Sequence, residues 1–373
     1  MRVLYFSRDY SPHDYRFLSS LADNGHQVYS LRLERDVRQV EDRLLPPVVQ
    51  QLQWKGGKNA VRWLDYPALG KDLHRLIHQV QPDVIHAGPV QRVASLVAMT
   101  GYRPLVTMSW GSDLLKEADA NGWMRWVTRY TLQHTTVLVA DCQAVQRKAA
   151  DFGFPEDRVV LFPWGVDLDH FSPGDDGGLR HRLGWEDAFI VLSLRAWEPL
   201  YGVDVVVRAF VQAARQMANL RLLLLGGGSQ ADALREILAR AGMSDRVYFG
   251  GQVTNLELPR YYRTADLYVS ASHSDGSSVS LLEALACGKP VLVSDIPGNR
   301  EWITSGSQGW LFKDGDDQAL AEGILEAARI QEQLLAMGAS ARRLAEERAD
   351  WRKNFRRLES AYEMAVQRTR TEE

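Results

Sequence analysis

Cysteine is scarce in this sequence. Only Cys142 and Cys287 occur among the 373 residues, and each lies beside strongly apolar sequence. Two isolated cysteines do not supply the disulfide framework that is typical of small secreted proteins. We therefore expect two free thiols and a reducing, cytoplasmic environment.

Long apolar runs are also absent. No run approaches the ~20 residues that a helix needs to cross a bilayer. The apolar opening, residues 1–6, is interrupted by Arg8 and Asp9 too soon to resemble a signal peptide. We expect a soluble protein, or one that meets a membrane only peripherally at its inner face.

The chain has no large excess of charge of one sign. Lys and Arg number 44 against 47 Asp and Glu, a net charge of −3. Residues 1–150 carry 19 against 14, which leaves 25 against 33 for the rest, or +5 and −8. This balance argues against nucleic acid as a partner. The positive first half fits an anionic acceptor or a membrane surface, and it equally fits an ordinary solvated surface.

What the sequence does contain is an alternation of strand-length apolar runs with helical sequence. The pattern restarts after residues 171–178, which are rich in Gly, Pro and Asp. The predicted strands are residues 3–7, 27–33, 84–86, 105–108, 137–140, 189–194, 222–225 and 267–270. Such alternation predicts an α/β protein with two doubly wound parallel sheets, in which ligands bind beyond the carboxyl ends of the strands. We place the domains at residues 1–172 and 173–354.

Two carboxylates lie eight positions apart around a predicted helix start. Asp275 precedes the helix, and Glu283 lies inside it. At ~1.5 Å per residue, Ser277 to Glu283 covers under two turns, so one ligand could reach both carboxylates and the amides of the first turn. Helix amides favour an anion, whereas carboxylates suit sugar hydroxyls. The pattern therefore fits a nucleotide sugar, although a helix cap at Asp275 and a solvated Glu283 would also explain it.

Several segments occur together in a recognisable order. They are FPWGVDLDHFSP at 162–173, LLGGGS at 224–229, DRVYFGG at 245–251, SDGSSVSLLEALACGKPV at 274–291 and PGNRE at 297–301. Together they resemble the retaining glycosyltransferases of family four. The resemblance implies a GT-B fold, in which two Rossmann-like domains face a central cleft and a C-terminal helix, here about 355–373, completes the first domain.

The resemblance implies a role for individual residues of the second domain. Arg195, at the end of a predicted strand, would bind the donor diphosphate; its alternative is a surface pair with Glu198. Glu283 would contact the ribose and Asp275 the donor sugar. The remaining candidates for donor binding are Gly276, Ser277, Ser278, Val279, Tyr201 and Gly227.

Three positions depart from the family pattern. Tyr201 stands where a Lys usually precedes the Gly, and Asp275 stands where Glu is usual. In residues 109–113 the common histidine is absent and Trp110 is present. A phenol brings no charge to a diphosphate, so Tyr201 leaves open a slow enzyme or a site that binds the donor without turning it over.

Candidates for acceptor binding come from the first domain. They are His13, Asp14, Trp110 and His86. Each has a structural alternative: Asp14 can favour the dipole of a helix that Pro12 begins, His86 can be a core histidine, and Trp110 can be a partly buried side chain. Asp113 is expected to cap the helix that follows Trp110.

Three further patterns receive a structural interpretation. Gly226–Gly228 lacks the third glycine of a dinucleotide-binding turn, so we expect a tight turn near the nucleotide. Asp167 and Asp169 lie far from the donor elements in sequence, and we expect no metal there. The run 123–130, with Trp123, Trp126 and Tyr130, fits a membrane interface or a core helix, and we favour the core.

The sequence thus predicts a retaining glycosyltransferase that needs no metal or other cofactor. It would move a hexose-type sugar from a nucleotide diphosphate donor to a hydroxyl acceptor, and a glycan, a lipid-linked acceptor and a small molecule all remain open. A non-catalytic nucleotide-sugar-binding protein and a nucleotide-sugar epimerase or hydrolase on the same fold are the alternatives.

Overall fold

The computed structural model describes residues 1–35, 41 and 43–372 of the chain. These residues form two compact units, Met1–Phe162 with Phe355–Glu373 and Pro163–Asn354. Residues 163–172, which the sequence analysis assigned to the first domain, pack with the second unit: the Val166 amide donates to the Ala349 carbonyl at 2.8 Å, and Phe171 lies in an apolar core. The final helix starts in the second unit and continues in the first from Phe355.

The first unit contains a seven-stranded parallel sheet in the order β3-β2-β1-β4-β5-β6-β7. Its strands are β1 (Arg2–Ser7), β2 (Gln27–Arg32), β3 (Gln50–Gln51), β4 (Val84–Ala87), β5 (Leu105–Met108), β6 (Val137–Ala140) and β7 (Val159–Leu161). Its helices are α1 (Pro12–Asp23), α2 (Tyr66–Val80), α3 (Ser95–Ala98), α4 (Ser112–Leu115), α5 (Gly122–His134) and α6 (Gln143–Asp151). Short turns of 3-10 or π helix occupy Trp63–Asp65, Val90–Ala94, Glu117–Asp119 and Glu156–Arg158.

The second unit contains a six-stranded parallel sheet in the order β10-β9-β8-β11-β12-β13. Its strands are β8 (Phe189–Ser193), β9 (Leu220–Leu225), β10 (Val247–Gly251), β11 (Leu267–Ser270), β12 (Val291–Ser294) and β13 (Gly309–Phe312). Its helices are α7 (Leu179–Leu183), α8 (Val203–Gln216), α9 (Ala231–Arg240), α10 (Leu258–Thr264), α11 (Val279–Ala286), α12 (Pro297–Arg300), α13 (Asp317–Arg329) and α14 (Gln331–Arg348), followed by α15 (Trp351–Glu372). Two 3-10 turns lie at Pro199–Tyr201 and Ser244–Arg246.

Both faces of the second sheet are covered by helices. Along β8, Phe189 and Val191 lie in one apolar core, while Ile190 and Leu192 lie in the core on the opposite face. Successive side chains of a strand point to opposite faces, so a strand buried on both sides must be apolar throughout. This explains why β8 reads as an unbroken apolar run in the sequence.

Each sheet has one point where the strand order reverses. In the first unit β1 pairs with both β2 and β4, and in the second unit β8 pairs with both β9 and β11. The loops that follow the two strands at such a point diverge and leave room for a ligand at the carboxyl edge of the sheet. The predicted donor residues follow β8 and β11, and His13 and Asp14 follow β1.

The core interpretation of the aromatic run in α5 is wrong for two of its residues. Trp123 and Trp126 are 51% and 55% exposed. The helix buries Val127, Thr128, Thr131 and Leu132 instead. Trp and Val at this spacing occupy neighbouring sectors of the helix, so periodicity alone did not show which sector faces the sheet.

No helix in the described part of the chain combines the length and apolar character that a membrane crossing requires.

His86 lies inside the first unit. Its ring is 2% exposed, its Nδ1 lies 2.6 Å from the hydroxyl oxygen of Tyr362 on α15, and its neighbours include the rings of Tyr5 and Phe17. Burial lowers the pKa of His86 to about 3. The geometry favours the core-histidine interpretation, in which His86 helps to hold α15 against β4.

This burial predicts a pH effect on stability. The unfolded chain takes up a proton on His86 below its ordinary pKa of about 6.5, whereas the folded chain does so only near 3. Stability contributed by the neutral ring is therefore present above pH 6.5 and is lost as the pH falls, by roughly 1 kcal/mol per pH unit. Denaturant titrations of the wild type and His86→Gln from pH 7.5 to 4.5 should show a steeper loss in the wild type. Parallel curves would contradict the assignment.

Candidate active site

The candidate donor site lies at the carboxyl ends of two adjacent strands of the second sheet. β8 and β11 are paired in parallel although β9 and β10 separate them in sequence. Arg195 follows β8 by two residues, and Asp275 lies in the loop between β11 and α11. Strand pairing thus brings together residues that are 80 positions apart, with Arg195 Nη2 2.7 Å from Asp275 Oδ2.

Arg195 is held on several sides. Besides the ion pair with Asp275, its Nη1 donates to the hydroxyl oxygens of Ser278 at 2.9 Å and Ser280 at 3.1 Å. Its Cζ lies 4.3 Å from the centroid of the Tyr201 ring. The side chains of Arg195 and Asp275 are only 14% and 17% exposed. The guanidinium is therefore fixed in place before any ligand arrives.

Burial and pairing act in opposite directions on the charge of Arg195. Burial lowers the pKa of the guanidinium, but the Asp275 carboxylate raises it, and the result is a pKa above the ordinary value for arginine. The side chain stays positively charged in a largely desolvated setting. There, its attraction for an anion is stronger than it would be in water.

The start of α11 lies beside this cation. The helix runs from Val279 to Ala286, and residues 276–278 connect it to Asp275. The first amides of a helix have no acceptor within the helix, and they carry the positive end of its dipole. Trp302 Nε1 donates to the Ser277 hydroxyl at 3.2 Å and fixes the approach to the helix. Arg195 and the start of α11 together form a positive edge.

Glu283 lies one turn further along α11 and is buried. The Tyr262 hydroxyl donates to Glu283 Oε2 at 2.8 Å and also lies 2.9 Å from the Ser280 carbonyl oxygen. Burial, and next the Glu283 charge, raise the pKa of Tyr262 well above its usual range, so the phenol stays a hydrogen-bond donor. The two carboxylates thus have different partners: Asp275 forms an ion pair with Arg195, whereas Glu283 accepts a hydrogen bond from a neutral hydroxyl.

Glycines allow the close backbone approaches around this site. A Cβ on Gly298 would lie 2.3 Å from the Gly276 carbonyl oxygen and 2.6 Å from that of Asp275. A Cβ on Gly202, which has φ +58°, would lie 2.2 Å from the Ala271 carbonyl oxygen. Gly298 therefore lets α12 press against the loop that carries Asp275, and Gly202 lets the Tyr201 turn approach the end of β11.

The glycine-rich segment after β9 forms a turn against Arg195. The Gly227 carbonyl accepts from the Trp197 amide at 2.9 Å, and a Cβ on Gly226 would lie 2.8 Å from the Arg195 carbonyl oxygen. A Cβ on Gly227 would meet nothing within 4 Å. The turn thus lies beside Arg195, with open space at Gly227.

The candidate acceptor residues of the first unit separate into two groups. The rings of His13 and Trp110 meet edge to face, with centroids 6.2 Å apart, and both side chains are half-buried. Asp14 is buried and joins a capping box with Ser11, while Tyr5 donates to it at 2.8 Å. Burial raises the pKa of Asp14. The helix begins at Pro12, and Ser11 supplies the cap.

Asp113 fastens the loop that bears Trp110. It does not cap α4, whose N-cap is Gly111. Its carboxylate accepts from the Ser109 hydroxyl at 2.6 Å, the Trp110 amide at 3.0 Å and the Val90 amide at 2.9 Å. Burial raises the pKa of Asp113 to about 6. Asp113 thereby ties the loop after β5 to the segment after β4.

Asp167 and Asp169 serve local structure. Asp167 accepts the amides of Asp169 and His170, and Asp169 forms an ion pair with Arg352. Among residues 1–35, 41 and 43–372, no three His, Cys, Asp or Glu side chains are grouped so that they could hold a metal ion.

Sequence reasoning missed Tyr262, Ser280 and Gly298. Ser280 and Gly298 lie inside the segments that carry the family resemblance, so a functional position could have been suspected for both. Tyr262 lies in α10, 21 residues before Glu283. No local pattern links the two, because the contact depends on how α10 packs against α11.

The contact at Gly298 yields a stability prediction. Gly298→Ala must displace the Asp275–Gly276 backbone or α12, and such overpacking typically costs about 1–3 kcal/mol. Differential scanning calorimetry should show a lower unfolding temperature for this variant. Gly122→Ala is the matched control, because a Cβ there meets nothing within 4 Å. Equal unfolding temperatures for the two variants would show that the close approach carries no strain.

Comparisons with known proteins agree with this arrangement. The family model described as "Glycosyltransferase Family 4" matches residues 13–170, and the one described as "Glycosyl transferases group 1" matches residues 179–344. A GDP-mannose-dependent alpha-(1-6)-phosphatidylinositol monomannoside mannosyltransferase of Mycolicibacterium smegmatis is 26% identical over 313 residues, 79% of this chain and 80% of that protein. A D-inositol 3-phosphate glycosyltransferase of Geodermatophilus obscurus is 33% identical over 244 residues, 62% of this chain and 53% of that protein. The chain thus spans only about half the length of the latter relative.

Solved structures show the same fold. Anabaena HepE in complex with UDP-glucose has a TM-score of 0.79 and 20% identity, covering 96% of this chain and 99% of that chain. Sucrose-phosphate synthase from Thermosynechococcus elongatus has a TM-score of 0.80 and 18% identity, covering 97% and 98%. The expected GT-B class of two Rossmann-like domains is confirmed. With consecutive family matches over most of its length, the chain belongs to the glycosyltransferases of family four.

Proposed function

We propose that this glycosyltransferase transfers a hexose-type sugar from a nucleotide diphosphate donor to a hydroxyl acceptor with retention at the anomeric carbon, and that it needs no metal ion. The observation that carries the proposal is the largely buried, charged Arg195 beside the start of α11, at the point where the strand order reverses. A fixed cation and helix amides suit a group whose negative charge grows as the sugar departs.

The roles of the site residues follow from their chemistry. Arg195 and the amides of residues 276–279 bind the diphosphate, and the Tyr201 ring packs against the guanidinium. Glu283 accepts hydrogen bonds from ribose hydroxyls, and Asp275 accepts them from the sugar. Because Asp275 pairs with Arg195, the diphosphate must share or take over that cation when the donor binds. Retention at the anomeric carbon is the outcome that the family resemblance implies.

The independence from metal follows from the same charges. In this proposal Arg195 and the helix start neutralise the departing diphosphate, the task that a divalent ion performs in other enzymes. Asp167 and Asp169 are engaged with local amides and with Arg352, which supports leaving them out of the reaction.

The acceptor is proposed to bind at the first unit, near His13 and Trp110. The Trp110 ring offers an apolar surface for a sugar or cyclitol, and His13 offers a polar ring nitrogen beside it. Two relatives are named for a phosphatidylinositol monomannoside, which supports a lipid-linked glycan as acceptor and peripheral membrane contact through this unit. The two buried free thiols support a cytoplasmic location.

The proposal is tested first by donor choice and then by turnover. Thermal shift with UDP-, GDP- and ADP-sugars should identify one donor, because a ligand at 100 times its dissociation constant stabilises by ~2.7 kcal/mol. Nucleotide release should then depend on an acceptor and persist in EDTA. Release without any acceptor would favour the epimerase or hydrolase alternative, and binding without release would favour a non-catalytic protein. Loss of turnover in EDTA that Mn²⁺ restores would overturn the metal-free mechanism.

Substitutions of Glu283 and Asp275 should have different effects on ligand affinity measured by calorimetry. Glu283→Ala should weaken binding of the free nucleoside diphosphate roughly tenfold or more, since a hydrogen bond to a charged group contributes about 1.5–3 kcal/mol. Asp275→Asn should leave that affinity unchanged or raise it, because Arg195 loses its competing partner, while affinity for the sugar-bearing donor falls. Glu332→Ala, an exposed carboxylate on α14, is the control. Equal losses in both variants for both ligands would contradict the assigned roles.

Tyr201 gives a second prediction at the same site. Tyr201→Phe keeps the aromatic ring in contact with the Arg195 guanidinium, whereas Tyr201→Leu removes the ring. A cation–π contact contributes about 0.5–2 kcal/mol, so the Leu variant should bind the nucleoside diphosphate several-fold more weakly while the Phe variant stays near wild type. If Phe is as harmful as Leu, the phenol hydroxyl rather than the ring face is the important group.

A further inference from the structure

A group of aromatic and aliphatic side chains on the first unit is exposed or partly exposed to solvent. It consists of Trp63, Leu64, Trp123, Trp126 and Tyr130, and we call it the aromatic patch. Leu64 is 85% exposed, and Trp123 and Trp126 are about half exposed. Exposed apolar groups that touch one another, unlike single ones, indicate an interaction surface.

The rings of the patch form a continuous row. The Trp63 and Trp123 centroids lie 5.6 Å apart, those of Trp123 and Trp126 lie 5.1 Å apart, and those of Trp126 and Tyr130 lie 5.5 Å apart. The row therefore joins the 3-10 turn at residues 63–65 to α5. Two separate parts of the chain contribute to one surface.

Trp123 and Trp126 are not the residues that attach α5 to the unit, whereas Trp63 and Tyr130 also pack against its apolar core. The helix attaches to the unit through Val127, Thr128, Thr131 and Leu132, all of which are buried. The Trp side chains lie on a neighbouring sector of the helix and add little to that core. The exposure of Trp123 and Trp126 is therefore not explained by the way in which α5 packs on the core.

Arginine residues lie next to the aromatic row in the sequence. Within Gly122–His134 the charged residues are Arg125 and Arg129, with no acidic residue, and Arg62 is the exposed neighbour of Trp63. Arg125 pairs with Asp119, while Arg62 and Arg129 lie exposed at the surface. An amphipathic helix with Trp on one sector and no acidic residue of its own matches the chemistry of an anionic bilayer interface. Two acidic residues near the row are engaged: Asp119 pairs with Arg125 and Lys148, and Asp65 accepts the Arg62 amide.

The ring geometry argues against a glycan as the occupant. Trp123 and Trp126 are stacked with an interplanar angle of 23°, and Trp126 and Tyr130 with 18°. The faces that a sugar ring would cover are directed at neighbouring rings. Stacking leaves less ring face for a sugar, whereas indole and phenol rings suit the headgroup level of a bilayer.

We propose that the aromatic patch binds the surface of an anionic lipid bilayer, with Trp123, Trp126 and Leu64 entering the interface and Arg62 and Arg129 meeting headgroup phosphates. The inference rests on the membrane contact in the proposed function but not on the donor chemistry, so vesicle binding and sugar transfer succeed or fail separately.

Vesicle flotation tests the proposal. The wild type should float with phosphatidylcholine vesicles that contain phosphatidylglycerol and bind less to phosphatidylcholine alone. The double variant Trp123→Ser/Trp126→Ser should lose at least about tenfold in partition, since interfacial binding scales with buried apolar area. Arg129→Glu should weaken binding to the anionic vesicles alone, and salt should reduce the difference between the two vesicle types.

The control is Leu335→Ser, which removes an equally exposed apolar side chain, 82% exposed, from α14 in the second unit. It should float like the wild type. Circular dichroism and binding of the nucleoside diphosphate should be unchanged in the double variant, which shows that both units remain folded. A wild type that does not float, or a double variant that floats as well as Leu335→Ser, would overturn the proposal; self-association through the patch or capture of a soluble glycan in place of vesicles would do the same.

Discussion

The proposed donor site depends on keeping one positive charge, that of Arg195, largely out of water. A buried guanidinium is tolerated only when partners replace its hydration. The two terminal nitrogens of Arg195 have such partners in Asp275 from the loop after β11 and in Ser278 and Ser280 from the start of α11, and the ring of Tyr201 lies against the guanidinium from the turn after β8. In the proposed function, donor binding is therefore an exchange of anions at a preformed cation, which avoids the cost of ordering a flexible arginine.

The parallel sheet makes this arrangement possible. Because β8 pairs with β11, two loops distant in sequence emerge side by side at one edge. Glycines then set the distances: Gly202 brings the Tyr201 turn against the end of β11, and Gly298 brings α12 against the Asp275 loop. A side chain at either glycine would move one partner of Arg195 relative to the others. The close backbone contacts at Gly202 and Gly298 thus set the distances between Arg195 and its partners.

Local patterns in the sequence were sufficient for some features and insufficient for others. The apolar runs of β8 and β9 and the start of α11 were readable because period and helix-start signals are local. The Arg195–Asp275 pair and the Tyr262–Glu283 hydrogen bond were not, because each depends on packing between distant elements. The exposure of Trp123 was misjudged for a related reason: two adjacent sectors of α5 are apolar, and only the tertiary fold selects the one that is buried.

Tyr201 illustrates how a departure from a family pattern acquires a physical meaning. A lysine at this position would bring a second cation to the diphosphate, but it would also lie close to Arg195 whenever the donor is absent. The tyrosine ring instead attracts the guanidinium through its negative face and fills apolar space against the core of the second unit. In the proposed site, Tyr201 therefore adds no second charge but helps to position the single charge of Arg195. Because a well-oriented, desolvated donor is worth far more than a mobile one in water, one arginine held in this way is a reasonable substitute for a looser pair of cations.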